Sequence, residues 1–190
     1  MLNKLLVLLR NYDFLGPRDI SQLYSISKFK TFKKGELIIK EGELNYSVVF
    51  VLKGLLKIYV TDENGEDRTM LFVPKKKNAA AYSSIFRNAP SDQNISAIED
   101  SIVAMVDMRE FEKLAKKNSS LLFYQNRILK EVLAYTVDQL KSHVLLTPEQ
   151  RYINFCKEFP KLEQRVTQKD LATYLGITAT SLSRMRSRLT

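Results

Sequence analysis

Residues 120–144 contain neither glycine nor proline, and this uninterrupted stretch constrains the fold more than any other part of the chain. The stretch predicts one helix of roughly 25 residues, which is longer than most helices of globular domains. Such a helix either packs along its own domain or pairs with a second copy of itself, and the periodicity leaves both interpretations open. The side chains that would form a pairing seam are Leu122, Leu129, Val132, Thr136 and Leu140.

The residues before this helix predict a short helical start followed by strands. Residues 1–28 favour two short helices, the second with Pro17 at a first helical position and Asp19 in the first turn. From residue 29 to 107, short apolar runs alternate with turn glycines, and residues 62–65 carry an Asn-Gly pair that is typical of a tight hairpin. Strands at this spacing are typical of a barrel, sandwich or roll.

The residues after the long helix predict a purely helical C-terminal part. Thr147 and Gln150 have capping-box spacing, and Pro148 suits the first turn of the helix that they begin. We therefore place a domain boundary at about residue 146.

Residues 167–186 have the pattern of a helix-turn-helix. Thr167 and Thr178 are suited to cap the two helices, and Gly176 permits the left-handed turn that ends the first one. In a unit of this kind the second helix enters the major groove of DNA. The positions that would hold the two helices together are Leu171, Ala172, Leu175, Ile177, Leu182 and Met185.

The charge of the chain agrees with a polyanionic partner. The chain carries 30 Lys and Arg against 21 Asp and Glu, and residues 171–190 contain arginines and short hydroxyls but no acid. Arginine can donate two hydrogen bonds to guanine, and hydroxyls suit phosphates or base edges. The alternative interpretation is an ordinary solvated helix face.

Composition excludes several other functions. A single cysteine, Cys156, cannot form an internal disulfide or hold zinc or an iron–sulfur cluster by thiolates alone. A single histidine, His143, argues against histidine-rich metal sites, and no catalytic motif is visible, so we expect neither a metal site nor an enzyme. No apolar run is long enough to span a bilayer, and we expect a cytoplasmic protein without membrane contact.

Four segments together resemble the Crp/Fnr family of bacterial transcription regulators. Residues 32–42, 49–58 and 96–103 are similar to the cyclic-nucleotide-binding β-roll with its turn glycines, and residues 167–186 are similar to the family's helix-turn-helix. The resemblance implies an α+β fold. Its parts would be an N-terminal double-stranded, jelly-roll-like β-roll sensor domain (1–118), a long dimerisation helix (119–146) and an all-α helix-turn-helix domain (147–190) without a clear wing.

The resemblance also assigns roles in DNA binding to individual residues. Base-reading positions correspond to Ala179, Thr180 and Arg184, of which Arg184 alone keeps a charged side chain. The protein would bind as a homodimer to successive major grooves of a near-palindromic site, about 34 Å apart. RNA polymerase would be a further partner. The residues placed to contact phosphates are Gln168, Lys169, Thr178, Ser181, Ser183, Arg186 and Arg188.

The sensor segment departs from the family pattern at the residues that bind the nucleotide. Where family members carry a glutamate for the ribose and an arginine for the cyclic phosphate, this chain has residues 78–86 without a glutamate, and Ser91 and Asp92 after Pro90. A buried phosphate without its arginine loses a paired, charge-assisted hydrogen bond, so we expect no useful binding of cyclic AMP. An unidentified small-molecule effector would use a remodelled pocket of Tyr82, Ser83, Ser84 and Ser91.

The sequence thus predicts a dimeric, sequence-specific DNA-binding transcription regulator with a degenerate sensor and no resident cofactor. The alternative is a ligand-binding regulatory module whose helix-turn-helix mediates protein contacts.

Overall fold

The computed structural model describes residues 1–9 and 11–189. Two compact units share this chain, one formed by residues 1–58 and 72–129 and the other by residues 59–71 and 130–190. The helices are α1 (Leu2–Leu9), α2 (Pro17–Ile26), α3 (Tyr82–Arg87), α4 (Met108–Ala115), α5 (Ser119–Leu145), α6 (Pro148–Glu158), α7 (Gln168–Tyr174) and α8 (Ala179–Leu189). The strands are β1 (Ser27–Phe32), β2 (Leu37–Ile39), β3 (Ser47–Lys53), β4 (Leu55–Thr61), β5 (Asp67–Pro74), β6 (Asn78–Ala80), β7 (Asn94–Ala97) and β8 (Ser101–Asp107).

The strands form two four-stranded sheets, as the sequence predicts for a β-roll. One sheet has the order β1-β8-β3-β6, and the other has the order β2-β7-β4-β5. Strand β3 runs antiparallel to β8, with Val49 opposite Met105 and Val51 opposite Val103. Val49, Val51 and Val103 are fully buried, so this face of the sheet forms core.

The other face of the same sheet packs against a layer of helices. Side chains alternate between the two faces of a strand, so Val48 and Phe50 point away from the face that carries Val49 and Val51. Leu5, Leu23, Ala104, Phe111 and Leu121 belong to the hydrophobic cluster on this helical side.

Local sequence signals account for most element boundaries. Asp107 caps the start of α4, because its side chain accepts a hydrogen bond from the N–H of Arg109. Thr147 and Gln150 form the predicted capping box at the start of α6, through bonds of 2.9 and 3.3 Å. Gly54 turns the chain from β3 to β4 with a φ of +103°, and an added Cβ there would lie 2.2 Å from Oγ of Ser101.

Candidate nucleic-acid interface

Helices α7 and α8 form the predicted helix-turn-helix. Thr167 caps α7 by accepting from the N–H of Asp170 at 3.0 Å, and Thr178 accepts from the N–H of Ser181 at 3.1 Å at the start of α8. Between the helices Gly176 has a φ of +72°, which only glycine adopts without strain. The two threonine caps and the glycine turn together determine the direction in which α8 leaves the turn.

An apolar core fixes one face of α8 and leaves the other exposed. Leu171, Leu175 and Leu182 are completely buried, and Met185 is 3% exposed. The ring of Phe155 on α6 lies 5.5 Å from that of Tyr174, which adds an aromatic contact to this core. Because Leu182 and Met185 face inward, the opposite side of α8 faces solvent.

The residues expected to read bases lie on that solvent-exposed face. Ala179, Thr180 and Arg184 are all exposed, and α8 contains no aspartate or glutamate. Among the residues expected to contact phosphates, Thr178, Ser181, Ser183 and Arg188 are exposed as well. The structure therefore exposes these seven side chains along α8 and at the turn before it.

Two further phosphate candidates on α7 already have partners. Nε2 of Gln168 donates to the carbonyl of Ala179 at 2.8 Å, which joins the starts of α7 and α8. The ammonium of Lys169 pairs with the carboxylate of Glu66, in the hairpin between β4 and β5. This hydrogen bond raises the pKa of Lys169, so the side chain remains a cation. A phosphate would have to compete with Glu66 for Lys169.

Arg186 lies apart from the exposed face. Its guanidinium is 3.6 Å from the Glu163 carboxylate and 5.6 Å from the centre of the Tyr152 ring. Tyr152 also donates to Glu163 at 2.5 Å, and burial together with this bond raises the pKa of Tyr152 to about 12. Arg186 is thus engaged inside the unit, because α8 turns this position toward α6 rather than toward solvent.

The β4–β5 hairpin contributes to the same unit, which the sequence did not predict. The N–H of Thr69 donates to Oγ1 of Thr173 at 3.1 Å, and Oγ1 of Thr69 donates to the Asp170 carboxylate at 3.3 Å. Thr69 is 4% exposed and Asp170 is 9% exposed. The hairpin therefore holds α7 at the surface opposite to its contact with α8.

Arg151 joins two helix ends and was also missed. Its Nε and Nη2 donate to the carbonyl of Leu175, at the end of α7, over 3.1 and 2.6 Å. Its Nη1 donates to the carbonyl of Leu146, just after α5, over 2.6 Å. A cation is favourable at both places, because helix C-termini present unpaired carbonyls and a negative dipole end.

The long helix α5 exposes an apolar face. Leu122, Leu133 and Leu140 have 56%, 64% and 64% of their surface exposed. Of the predicted seam, Leu129 is also exposed, Val132 is half-buried, and Thr136 donates its hydroxyl to the carbonyl of Val132 at 2.9 Å. Exposed apolar side chains continue toward the end of α5 at Leu133, Val137, Leu140 and Val144, and of these four Leu140 alone belongs to the predicted seam.

Three of the four residues of the predicted effector pocket already use their hydroxyls in hydrogen bonds. Oγ of Ser83 donates to Asp92 at 3.2 Å, Oγ of Ser84 accepts from the N–H of Asn45, and Oγ of Ser91 donates to the carbonyl of Gln93 at 2.7 Å. These three serines are buried and hydrogen-bonded.

Tyr82 instead lines a cleft whose other walls do not include the serines. Burial raises the pKa of its phenol.

The described residues contain neither a metal-binding cluster of side chains nor a helix that could span a membrane. Within residues 1–9 and 11–189, no group of three or more His, Cys, Asp or Glu side chains is placed to hold a metal ion. In the same part of the chain, no helix combines the length and the apolarity needed to cross a membrane.

Comparisons with known proteins agree with this geometry. Residues 29–118 match the model of the cyclic nucleotide-binding domain. The anaerobic regulatory protein of Pasteurella multocida is 22% identical over 187 residues, which cover 92% of this chain and 68% of that protein.

Solved structures share the fold along most of the chain. FixK2 from Bradyrhizobium japonicum has a TM-score of 0.75 at 20% identity, covering 86% of this chain and 84% of that one. A Crp/Fnr-family structure from Eubacterium rectale has a TM-score of 0.73 at 17% identity, covering 94% and 87%. Residues 29–118 thus match a cyclic nucleotide-binding domain, and the chain shares its fold with solved structures that include one of the Crp/Fnr family.

Proposed function

We propose that this protein is a transcription regulator that binds a near-palindromic DNA site as a homodimer in the cytoplasm. The observation that carries the proposal is the exposed face of α8, which presents Ala179, Thr180 and Arg184 with no acidic residue on the helix. A buried core holds that face, because Leu182 and Met185 anchor the opposite side. Arg184 would read a guanine, and Thr180 would contact a neighbouring base edge.

Phosphate contacts would position the helix without reading sequence. Thr178, Ser181, Ser183 and Arg188 surround the start and the outer side of α8. The exposed apolar face of α5 would pair two copies, so that two α8 helices reach successive major grooves. RNA polymerase and a small-molecule effector would be further partners.

Replacing Arg184 by alanine tests the base-reading role. A duplex selected from a random library should lose about 1–3 kcal/mol of binding free energy, and preference should relax at one base pair of each half-site. Fluorescence anisotropy measures the affinity, and a second selection with Arg184→Ala measures the preference. Lys157→Ala is the matched control, because Lys157 is an exposed cation on α6.

Three results would contradict this scheme in different ways. If Arg184→Ala weakens binding to all sequences equally, Arg184 contacts a phosphate. If Lys157→Ala relaxes the same base preference, the assignment to α8 is wrong. If the protein prefers no sequence and shows no steep salt dependence, the helix-turn-helix serves protein contacts instead.

We also propose that the sensor does not bind cyclic AMP. Ser91 occupies the position of the phosphate-binding arginine, is buried and is already bonded to the chain at Gln93. The adjacent Asp92 carboxylate would repel a phosphate. Titration calorimetry should show no heat of binding at micromolar cyclic AMP, and a micromolar dissociation constant would overturn this part of the proposal.

A further inference from the structure

A cleft lies between the helical layer and the outer face of the β1-β8-β3-β6 sheet. Its empty space, counted together with the open solvent at its mouth, is about 730 Å³, and it is bounded by α1, α3, α5 and strand β3. Val48 and Phe50 line it, whereas Val49 and Val51 point to the interior of the roll. The cleft is therefore on the opposite side of the sheet from the interior of the roll.

The lining of the cleft is apolar at its deepest points. Leu5, Leu23, Phe111 and Tyr124 contribute to it and are each less than 5% exposed. Phe86 lies at its mouth with 59% of its surface exposed, and its ring stacks on that of Tyr82 at 5.7 Å with an angle of 3°. Buried walls with an aromatic pair at the entrance are typical of a site for a compact small molecule rather than for the flat surface of a partner protein.

Three neutral polar side chains in the lining have unused hydrogen-bonding capacity. Asn78, Tyr82 and Gln125 line the cleft, and none of their side chains forms a hydrogen bond with any residue that the structure describes. Because burial raises the pKa of Tyr82, its phenol stays protonated and can donate. Polar groups of this kind orient a ligand in an otherwise apolar site.

The charge of the lining limits the class of ligand. Among the described residues, the lining contains no lysine, arginine, aspartate or glutamate. An anion or cation would lose its hydration there without gaining a partner, which is costly. We propose that this cleft binds a neutral, mainly apolar organic molecule, with a ring or acyl group among the leucines and one polar group toward Asn78, Tyr82 or Gln125.

Binding can be tested on the full chain with N-phenyl-1-naphthylamine, a neutral probe that fluoresces in apolar surroundings. We expect saturable binding of one molecule per chain. Ile85→Trp fills the cleft and should raise the dissociation constant at least tenfold, whereas Leu44→Trp, at an exposed position outside it, should change the constant less than twofold. Unsaturable binding, or equal affinity of Ile85→Trp and the unmodified protein, would overturn the proposal.

A matched charged probe tests the predicted class of ligand. 8-Anilinonaphthalene-1-sulfonate adds a sulfonate to the same ring system, and we expect its dissociation constant to be at least tenfold higher. Equal affinities of the two probes would overturn the assignment to neutral ligands.

A measurement on the unmodified protein does not depend on the folding of any variant. In methyl NMR spectra, the neutral probe should shift the signals of Leu5, Ile85 and Ile128, which line the cleft. It should leave those of Leu133 and Leu140 on the exposed face of α5 unchanged. Shifts confined to Leu133 and Leu140 would place the probe on that face and refute the cleft as its site.

Discussion

Replacing Arg151 by methionine should destabilise helices α7 and α8 more than any change at an exposed charge. The substitution puts an unbranched apolar side chain in place of the arginine and removes three bonds of 2.6–3.1 Å, two to the carbonyl of Leu175 and one to that of Leu146, with a longer one of 3.5 Å to the carbonyl of His143. Hydrogen bonds from a charged donor contribute about 1.5–3 kcal/mol each when buried. Arg151 is half-buried and water can replace part of what is lost, so we expect a loss of about 2–4 kcal/mol.

Native-state amide exchange measures this loss where it should occur, in the N–H groups of α7 and α8. Lys157→Met is the matched control, because it removes an exposed cation from the same helix and should change the free energy by less than about 0.5 kcal/mol. If Arg151→Met costs less than about 1 kcal/mol, the bridging role inferred from the three bonds is wrong.

The single histidine of the chain provides an independent measurement on the same variant. The pKa of His143 is lowered, first by desolvation and then by the positive charge of Arg151. In Arg151→Met the second cause is removed, so the imidazole pKa should rise toward its ordinary value, as read from its NMR signal. A lowered pKa means that the unfolded chain binds the proton at higher pH than the folded chain does. Stability should therefore fall as the pH drops below about 6.5, and less steeply in the variant.

Two further substitutions test the unit around α8. Glu66→Gln removes the carboxylate that pairs with Lys169, so the DNA affinity at low salt should rise several-fold. The slope of log affinity against log salt concentration should steepen by the equivalent of about one phosphate contact. Anisotropy titrations at several salt concentrations that show no change would contradict this. Leu182→Ala should cost about 2–5 kcal/mol in thermal or urea unfolding, because this side chain is completely buried, while the exposed Thr180→Ala should be nearly neutral. Equal stability of these two variants would contradict the packing of α8.

Features that depend on neighbouring residues could be predicted from the sequence. The caps at Thr147, Thr167 and Thr178 and the left-handed turn at Gly176 follow local rules, and the structure has them where they were predicted. Strand β6 was missed, because residues 78–80 are short and show no alternation between apolar and polar side chains.

Features that join distant parts of the chain could not be predicted in the same way. The hairpin residue Thr69 contacts Asp170, about a hundred residues later, and no local pattern signals this pairing. Arg186 was expected at a phosphate, but periodicity does not show that Glu163 and Tyr152 would engage it. The serines near Tyr82 were chosen for their hydroxyls, and only the structure shows that the backbone and side chains of the loop already use them.

The exposed face of α5 suggests how pairing and DNA binding would depend on each other. Leu122, Leu129, Leu133, Leu140 and Val144 are each 38–71% exposed, so covering them would recover only part of the roughly 1.5–3 kcal/mol of a full side chain. The five side chains of each copy, ten in all, sum to roughly 9–18 kcal/mol, which is of the same order as the cost of association, about 4–15 kcal/mol. The net free energy of pairing would therefore be a small difference between two larger quantities. Because a near-palindromic site would bind two copies at once, DNA would add to this difference and favour the dimer.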